Sequence, residues 1–466
     1  MKMVKGLILG SAATLIAVGG AQAADLPLKA KAVEYVKVCS LYGAGFYYIP
    51  GTDTCIKLGG YLRADVTFNG AAAYDMPSWT GARNRYSNDY IARSRQDINI
   101  DTRTATEYGV VRTYFDAVFN WTTDSDARAF GNLGVYYAFI QFAGFTFGKA
   151  VSQFSAPWTG YPGNNTSFLL GGQDDVTGIN QIAYTAQFGN GVSASVSLEE
   201  NSGLNTRGGV VAGVNSYTRA PLYDLGVGFG AAPFVAGAAN NWGGTNAPDI
   251  VGQIRVDQAW GLFQVSAAAH QIRAGEAISA SGIPSDAWGF AVQLALSLKN
   301  LPTGPGDSIN FSAGYADGAS RYIIGGVSPD TYGIGNSSVL ALGFSSDGVY
   351  APTFGIQKTE AYGVRGAFNH NWDPHWSTSL FGSWSAIRYN NTVKAALGAN
   401  VDWNISQLGL VTRWTPVRGL TFSGEAMYTY LDQNLAGALP AAFAPAGQVA
   451  GDRGTWSFNL RAQRNF

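Results

Sequence analysis

The residues best placed to do chemistry are arginines and aspartates set at every second position. Lys57, Arg63 and Asp65, then Arg93, Arg95, Asp97, Asp101 and Arg103, then Arg112 and Asp116 share one parity of three short segments. Leu58, Leu62, Val66, Ile98, Ile100, Phe115 and Phe119 take the other parity. Alternation with period two is the mark of a strand with two unlike faces. Charges of both signs on one such face do not assemble a nucleophile with its base. They can set a field across a wet surface and so sort ions and polar solutes. Other chemistry is poorly supplied. The three histidines are His270, His370 and His375, and the last two flank Asn371-Trp372-Asp373-Pro374, a turn, so they are assigned no metal. No G-x-S-x-G elbow or Walker A motif occurs, which leaves an enzyme as the weaker alternative. Cys39 and Cys55 are the only cysteines, 16 positions apart. In an exported chain they are expected to form a disulfide, with two buried thiols as the competing reading; no histidine lies near enough in sequence to suggest a metal site.

The elements that must carry these residues repeat the same alternation. Val192, Ala194, Val196 and Leu198 alternate with Ser193, Ser195, Ser197 and Glu199; Trp288, Phe290, Val292, Leu294 and Leu296 alternate with Gly289, Ala291, Gln293, Ala295 and Ser297. Sixteen such segments are expected, centred near residues 61, 97, 115, 138, 148, 183, 195, 254, 266, 293, 312, 364, 383, 409, 426 and 460. Short turns such as Gly189-Asn190-Gly191 alternate with long Gly/Asn/Ser-rich connections near 151–178, 200–248, 272–286, 317–357, 389–401 and 432–452. Short turns on one rim and long loops on the other describe a closed, antiparallel, all-β transmembrane barrel of bacterial type, with periplasmic turns and extracellular loops. Closure follows from the backbone: in hydrocarbon each unpaired N–H or C=O costs several kcal/mol, so strands span only without edges. An Arg facing lipid at mid-depth costs about 2–4 kcal/mol, so the charged rows must face the lumen.

Composition agrees with this and removes other classes. The 466 residues carry 61 charged side chains, 13%, about half the ~25% of a soluble domain, and the same number of aromatic ones. That supply is too small for the surface of a soluble sandwich and suits a lipid-facing wall with aromatic girdles. A formal net charge of −1 offers no basic footprint for nucleic acid. Lys2 and Lys5, the apolar stretch 6–20 and Ala21-Gln22-Ala23 read as a cleaved export signal over 1–23. Residues 24–53 would then form a periplasmic lead-in and 54–466 the barrel. Residues 57–128 hold 18 charges and 129–198 only three, Lys149, Asp174 and Asp175. The 151–178 connection is expected to fold inward and narrow the pore, setting Asp174 and Asp175 against Arg63, Arg93, Arg95 and Arg112; capping of the next strand in solvent is the plainer alternative.

The run Val38-Cys39, then Tyr42-Gly43-Ala44-Gly45-Phe46-Tyr47-Tyr48-Ile49-Pro50-Gly51-Thr52-Asp53-Thr54-Cys55 and on through Lys57-Leu58-Gly59-Gly60-Tyr61-Leu62-Arg63, resembles the N-terminal signature of the alphaproteobacterial outer-membrane porins of Brucella and rhizobial type. Tyr137 to Lys149, Gly314-Tyr315-Ala316-Asp317-Gly318 and Arg461 to Phe466 are similar to the same family. The resemblance implies a sixteen-stranded barrel, a homotrimer, passive diffusion of small hydrophilic solutes and ions, and the third extracellular loop as constriction. It also implies a place for Lys149 at the pore mouth. Contact with outer-membrane lipid and lipopolysaccharide goes with such a barrel, and the terminal Phe466 resembles the signal read by the outer-membrane assembly machinery. No cofactor is implied. A channel specific for a sugar or an organic anion is the alternative within this class.

Overall fold

Each segment where apolar and polar residues alternate is a strand, and the sixteen strands close antiparallel into one barrel. The computed structural model describes residues 37–69, 89–123, 131–165, 169–173, 177–200, 222–224, 246–273, 285–324, 331–335, 338–351, 353–435 and 449–466. The expected export signal over 1–23 falls outside them. In chain order the barrel strands are β1 (Thr54–Phe68), β2 (Tyr90–Thr106), β3 (Gly109–Thr122), β4 (Asn132–Phe142), β5 (Phe145–Ala150), β6 (Ile179–Gly189), β7 (Val192–Glu199) and β8 (Asp249–Gln258). There follow β9 (Gly261–Ile272), β10 (Ala287–Lys299), β11 (Ser308–Asp317), β12 (Glu360–Asn371), β13 (Trp376–Arg388), β14 (Trp403–Val417), β15 (Leu420–Gln433) and β16 (Arg453–Asn465). The last strand pairs with the first, from Tyr61 opposite Asn465 to Phe68 opposite Phe458, and no edge remains. All sixteen expected centres lie within these strands.

The two faces separate cleanly. Leu62, Phe119, Ile182, Ile254, Leu294, Leu408 and Leu460 are each more than half exposed on the outside, while Gln264, Gln293, Ser312 and Thr429 are buried on the inside. In water such outer side chains would forgo about 1.5–3 kcal/mol each, so the surface belongs in hydrocarbon. Ring stacks mark the two rims. Trp376, Trp414 and Phe422 stack at 5.9 and 5.7 Å by the short turns. At the long loops Tyr428 meets Trp456 at 5.1 Å and Phe68 meets Tyr90 at 6.4 Å. The turns are as short as their residues permit: Asn190 and Gly191, with φ of 49° and 75°, supply the left-handed pair that a two-residue hairpin needs.

The main core lies inside the barrel. The 318–359 segment, where a long Gly/Asn/Ser-rich extracellular loop is expected near 317–357, folds back into the mouth in its described residues. It carries a helical turn, Arg321–Ile324, and two hairpins, Thr331–Gly335 with Val339–Phe344 and Gly348–Ala351 with Gly355–Lys358. Its Tyr322, Ile323, Tyr332 and Leu340 are fully buried with Phe154 and Leu170 of the 151–178 loop and Trp403 and Ile405 of the wall. Room comes from two inner-face glycines, Gly314 and Gly363, where an added Cβ would lie 2.6 and 2.7 Å from Ile323 side-chain atoms. The physical reason is burial: this loop's apolar residues lack a partner outside.

Cys39 and Cys55 are joined, with Cα atoms 6.1 Å apart. Cys39, Phe46 and Cys55 form a small core on the turn rim, and Tyr48 pairs with Cys55. A cross-link over this spacing contributes about 3 kcal/mol by loop-closure entropy. Reducing it, or replacing both cysteines by serine, is therefore expected to free residues 37–48 for limited proteolysis while the barrel survives. Equal protease resistance with and without reductant would contradict that.

Candidate pore constriction

The charged rows of β1, β2 and β3 stand on the inner face and line up in register. Asp65 is opposite Arg93 and Arg461, and it binds both, at 2.9 Å to the Arg93 Nη2 and 2.5 Å to the Arg461 Nε. Nearer the turn rim, Asp101 takes Arg103 and Arg112, each at 3.0 Å. Between these neutralised layers Arg63 lies directly opposite Arg95. Each donates its Nε to a neutral amide oxygen, Arg63 to Gln463 at 2.8 Å and Arg95 to Asn120 at 2.5 Å. Among the described residues neither forms a salt bridge with a carboxylate. Like charges directly opposite on paired strands are destabilising, so this pair is a standing electrostatic cost. Asp97 and, diagonally across the β2–β3 pairing, Asp116 form the next layer.

A bulge sets what accompanies them. Asp116 pairs with Tyr137 but Ala117 pairs with Val135, so Tyr136 is an extra residue in β4. Because side chains alternate, one extra residue reverses the phase. Leu133 and Val135 face outward before it and Ile140 after it, while Tyr136 and Tyr137 both turn to the lumen side. The Arg95 guanidinium lies 5.6 Å from the Tyr136 ring, and Arg63 lies 4.4 Å from Tyr61.

The opposite wall is covered. The 151–178 loop runs along the inner face from β6 to β15, held at almost every strand by a side-chain amide or a guanidinium. Gln253 donates to the Gln153 carbonyl at 2.9 Å, Gln264 to Ser155 at 2.9 Å and Gln293 to Phe154 at 3.0 Å. Asn310 and Asn369 donate to Pro162, and Arg413 to Gly163. Glu425 accepts the Asn165 N–H, and Gln407 accepts that of Leu170. Arg365, 1% exposed, donates to the carbonyls of Leu169 at 3.1 Å and Gln173 at 2.5 Å. Gly171, with φ of 99°, passes so close to β12 that a Cβ would sit 2.4 Å from the Val364 oxygen. Glu199 fixes the start of the loop through Ser152 and the Gln153 N–H. The inner faces of β8 to β15 are thus under loop, whereas Arg63, Arg95 and Tyr114 on β1 to β3 stay part-exposed.

The sequence had placed Arg63, Arg93, Arg95, Asp97, Asp101, Arg112 and Asp116 on one face, and the structure brings them together there. Lys149 differs. It shares the outward phase of Phe145 and Phe147, and its ammonium donates to the carbonyls of Val135, Tyr136 and Thr177. It does not line the lumen; the bulge leaves carbonyls at the rim that a cation satisfies. Asp174 and Asp175 fall outside the described residues. Phe466 is exposed, its N–H on the Gly60 carbonyl at 3.1 Å. The histidines are held by neighbours, His370 by Asp307 at 2.7 Å and His270 by Asp249 at 2.8 Å. What the sequence reading missed is the row of amides that docks the loop; its signal was Gln and Asn recurring on the inward phase of consecutive strands.

Porin Omp2b of Brucella suis is 36% identical over 211 residues, covering 42% of this chain and 52% of that one. Porin Omp2a of Brucella melitensis is 37% identical over 221 residues, covering 42% of this chain and 56% of that one. The matched region is thus about half the length of these relatives. Among solved structures, the outer membrane channel DcaP of Acinetobacter baumannii shares the fold, with a TM-score of 0.59 at 15% identity over 90% of this chain and 99% of that one. Residues 25–455 match the family model described as the Porin subfamily, and the chain belongs to that family.

Proposed function

We propose that the protein is an outer-membrane porin whose water-filled lumen lets small hydrophilic solutes and ions diffuse passively. The open path runs along β1 to β4, because the loops cover the remaining inner wall. We propose further that it prefers anions. The observation that carries this is the pair Arg63 and Arg95, cations with no carboxylate partner among the described residues at the middle of the exposed wall. Around them the same face carries Lys57, Arg93, Arg103, Arg112 and Arg461 against Asp65, Asp97, Asp101 and Asp116, seven cations to four carboxylates in all. The Arg rows would form one side of the constriction and the 151–178 loop the other, with Asp174 and Asp175 contributing from that loop. Homotrimeric assembly, contact with lipopolysaccharide, export through a signal over 1–23 and recognition of Phe466 by the assembly machinery belong to the same reading.

Uptake into proteoliposomes tests the general channel. Rates for neutral sugars are expected to rise linearly with concentration and to fall steeply with size. Saturation at low concentration would instead favour a sugar-specific channel. Deleting Phe466 is expected to lower the yield of inserted barrel; unchanged insertion would contradict the assembly role.

A further inference from the structure

We propose that the exposed wall from Arg63 to Phe139 binds aryl carboxylates, organic anions that carry their charge on a flat aromatic ring. The inference rests on the reading of the barrel as an open channel and gives that channel a solute class. It stands on three features of the wall.

The first is a clamp. Arg63 and Arg95 stand opposite each other on paired strands, a neutral amide accepts from the Nε of each, and Tyr61 lies against both. Their terminal nitrogens have no anionic partner among the described residues. Planar forks on opposed residues of neighbouring strands suit the two oxygens of a carboxylate.

The second is a chain of rings leading away from the clamp. Tyr136 lies under Arg95, Tyr137 is 6.5 Å from Tyr136, Tyr114 is 6.1 Å from Tyr137, and Phe139 is 5.4 Å from Tyr114 with planes 30° apart. Arg112 closes the lower end, 5.1 Å from the Tyr114 ring and 5.5 Å from that of Phe139. The β4 bulge builds this chain by placing Tyr136 and Tyr137 on the same side.

The third is exposure. These four rings are only part-buried, whereas Phe154 and Tyr322 across the lumen are fully buried in the loop core. Ring faces left in a wet lumen gain from a flat solute that displaces their water. Asp97 and Asp116 lie between the clamp and Tyr114 and oppose an anion that moves below the clamp. The carboxylate therefore rests on Arg63 and Arg95, and the ring extends over Tyr136 and Tyr137 toward Tyr114. Acetate meets the clamp without the rings, and benzyl alcohol meets the rings without the clamp.

Block of chloride current in planar bilayers by benzoate, acetate and benzyl alcohol tests this. Benzoate is expected to half-block at a concentration about tenfold below that of acetate, the factor two ring contacts supply. Benzyl alcohol is expected not to block. In a Tyr114→Leu/Tyr137→Leu variant that still inserts as a heat-modifiable barrel, the benzoate-to-acetate ratio should fall toward one. Arg95→Gln should weaken block by both anions. Equal block by benzoate and acetate in the unaltered protein, or an unchanged ratio in the ring variant, overturns the site while leaving the channel standing. A folded barrel that passes no chloride overturns the channel reading and this site with it.

Discussion

Replacing Arg63 and Arg95 together by alanine is expected to abolish the preference for anions and to tip the channel toward cations. The other cations of the wall are already matched: Arg93 and Arg461 share Asp65, and Arg103 and Arg112 share Asp101. Removing the unmatched pair leaves Asp97 and Asp116 as the nearest charges to the middle of the path. A unit charge about 5 Å from a passing ion is worth about 1 kcal/mol in water and about 3 at the lower effective dielectric of a narrow pore, so losing two should change the permeability ratio by about tenfold or more. Salt screens such effects, so the shift should shrink as ionic strength rises. Conductance alone is a poor reporter, because two shorter side chains also widen the path. The zero-current potential under a salt gradient isolates the charge effect. An unchanged potential in the double variant would contradict the assignment of Arg63 and Arg95 to the selective layer.

Arg365→Ala is expected to loosen the constriction. The guanidinium is buried between β12 and the end of the 151–178 loop, where it donates to the carbonyls of Leu169 and Gln173. Charge-assisted bonds of this kind contribute about 1.5–3 kcal/mol each, and truncation also leaves two buried carbonyl oxygens to find water. Leu169 remains packed with Ala367, Phe381, Val411 and Met427, so the loop should not leave the wall altogether. The expected phenotype is a larger, noisier single-channel conductance with insertion intact. Lysine should not rescue it, since an ammonium cannot make the same forked contact. A variant with the conductance and noise of the parent would show that Arg365 is not what holds this part of the loop.

Much of this architecture was legible in the sequence because a lipid-facing strand must alternate. Leu62 and Val66 against Arg63 and Asp65 already say which side is wet, and the same argument located every barrel strand. The inward loop was legible too, though not its means of attachment. Those contacts join residues as distant as Asn165 and Glu425, and no local pattern records a partner that far along the chain. Lys149 is a different case, since its place at the pore mouth was implied by the resemblance and not by alternation. A one-residue bulge at Tyr136 creates carbonyls for its ammonium, and the alternation of β5 alone already set Lys149 with Phe145 and Phe147. The 318–359 connection misled by composition. Its Gly/Asn/Ser-rich composition marks a long loop but not its direction, and Tyr322 to Ile324 are apolar because they complete a core within the mouth.

The most direct test of the whole account is the zero-current potential of the unaltered protein in a planar bilayer under a potassium chloride gradient. The account predicts discrete, ohmic openings and a potential of the sign that marks chloride as the more permeant ion. A potential of the opposite sign, or the absence of openings from correctly folded barrels, would contradict it.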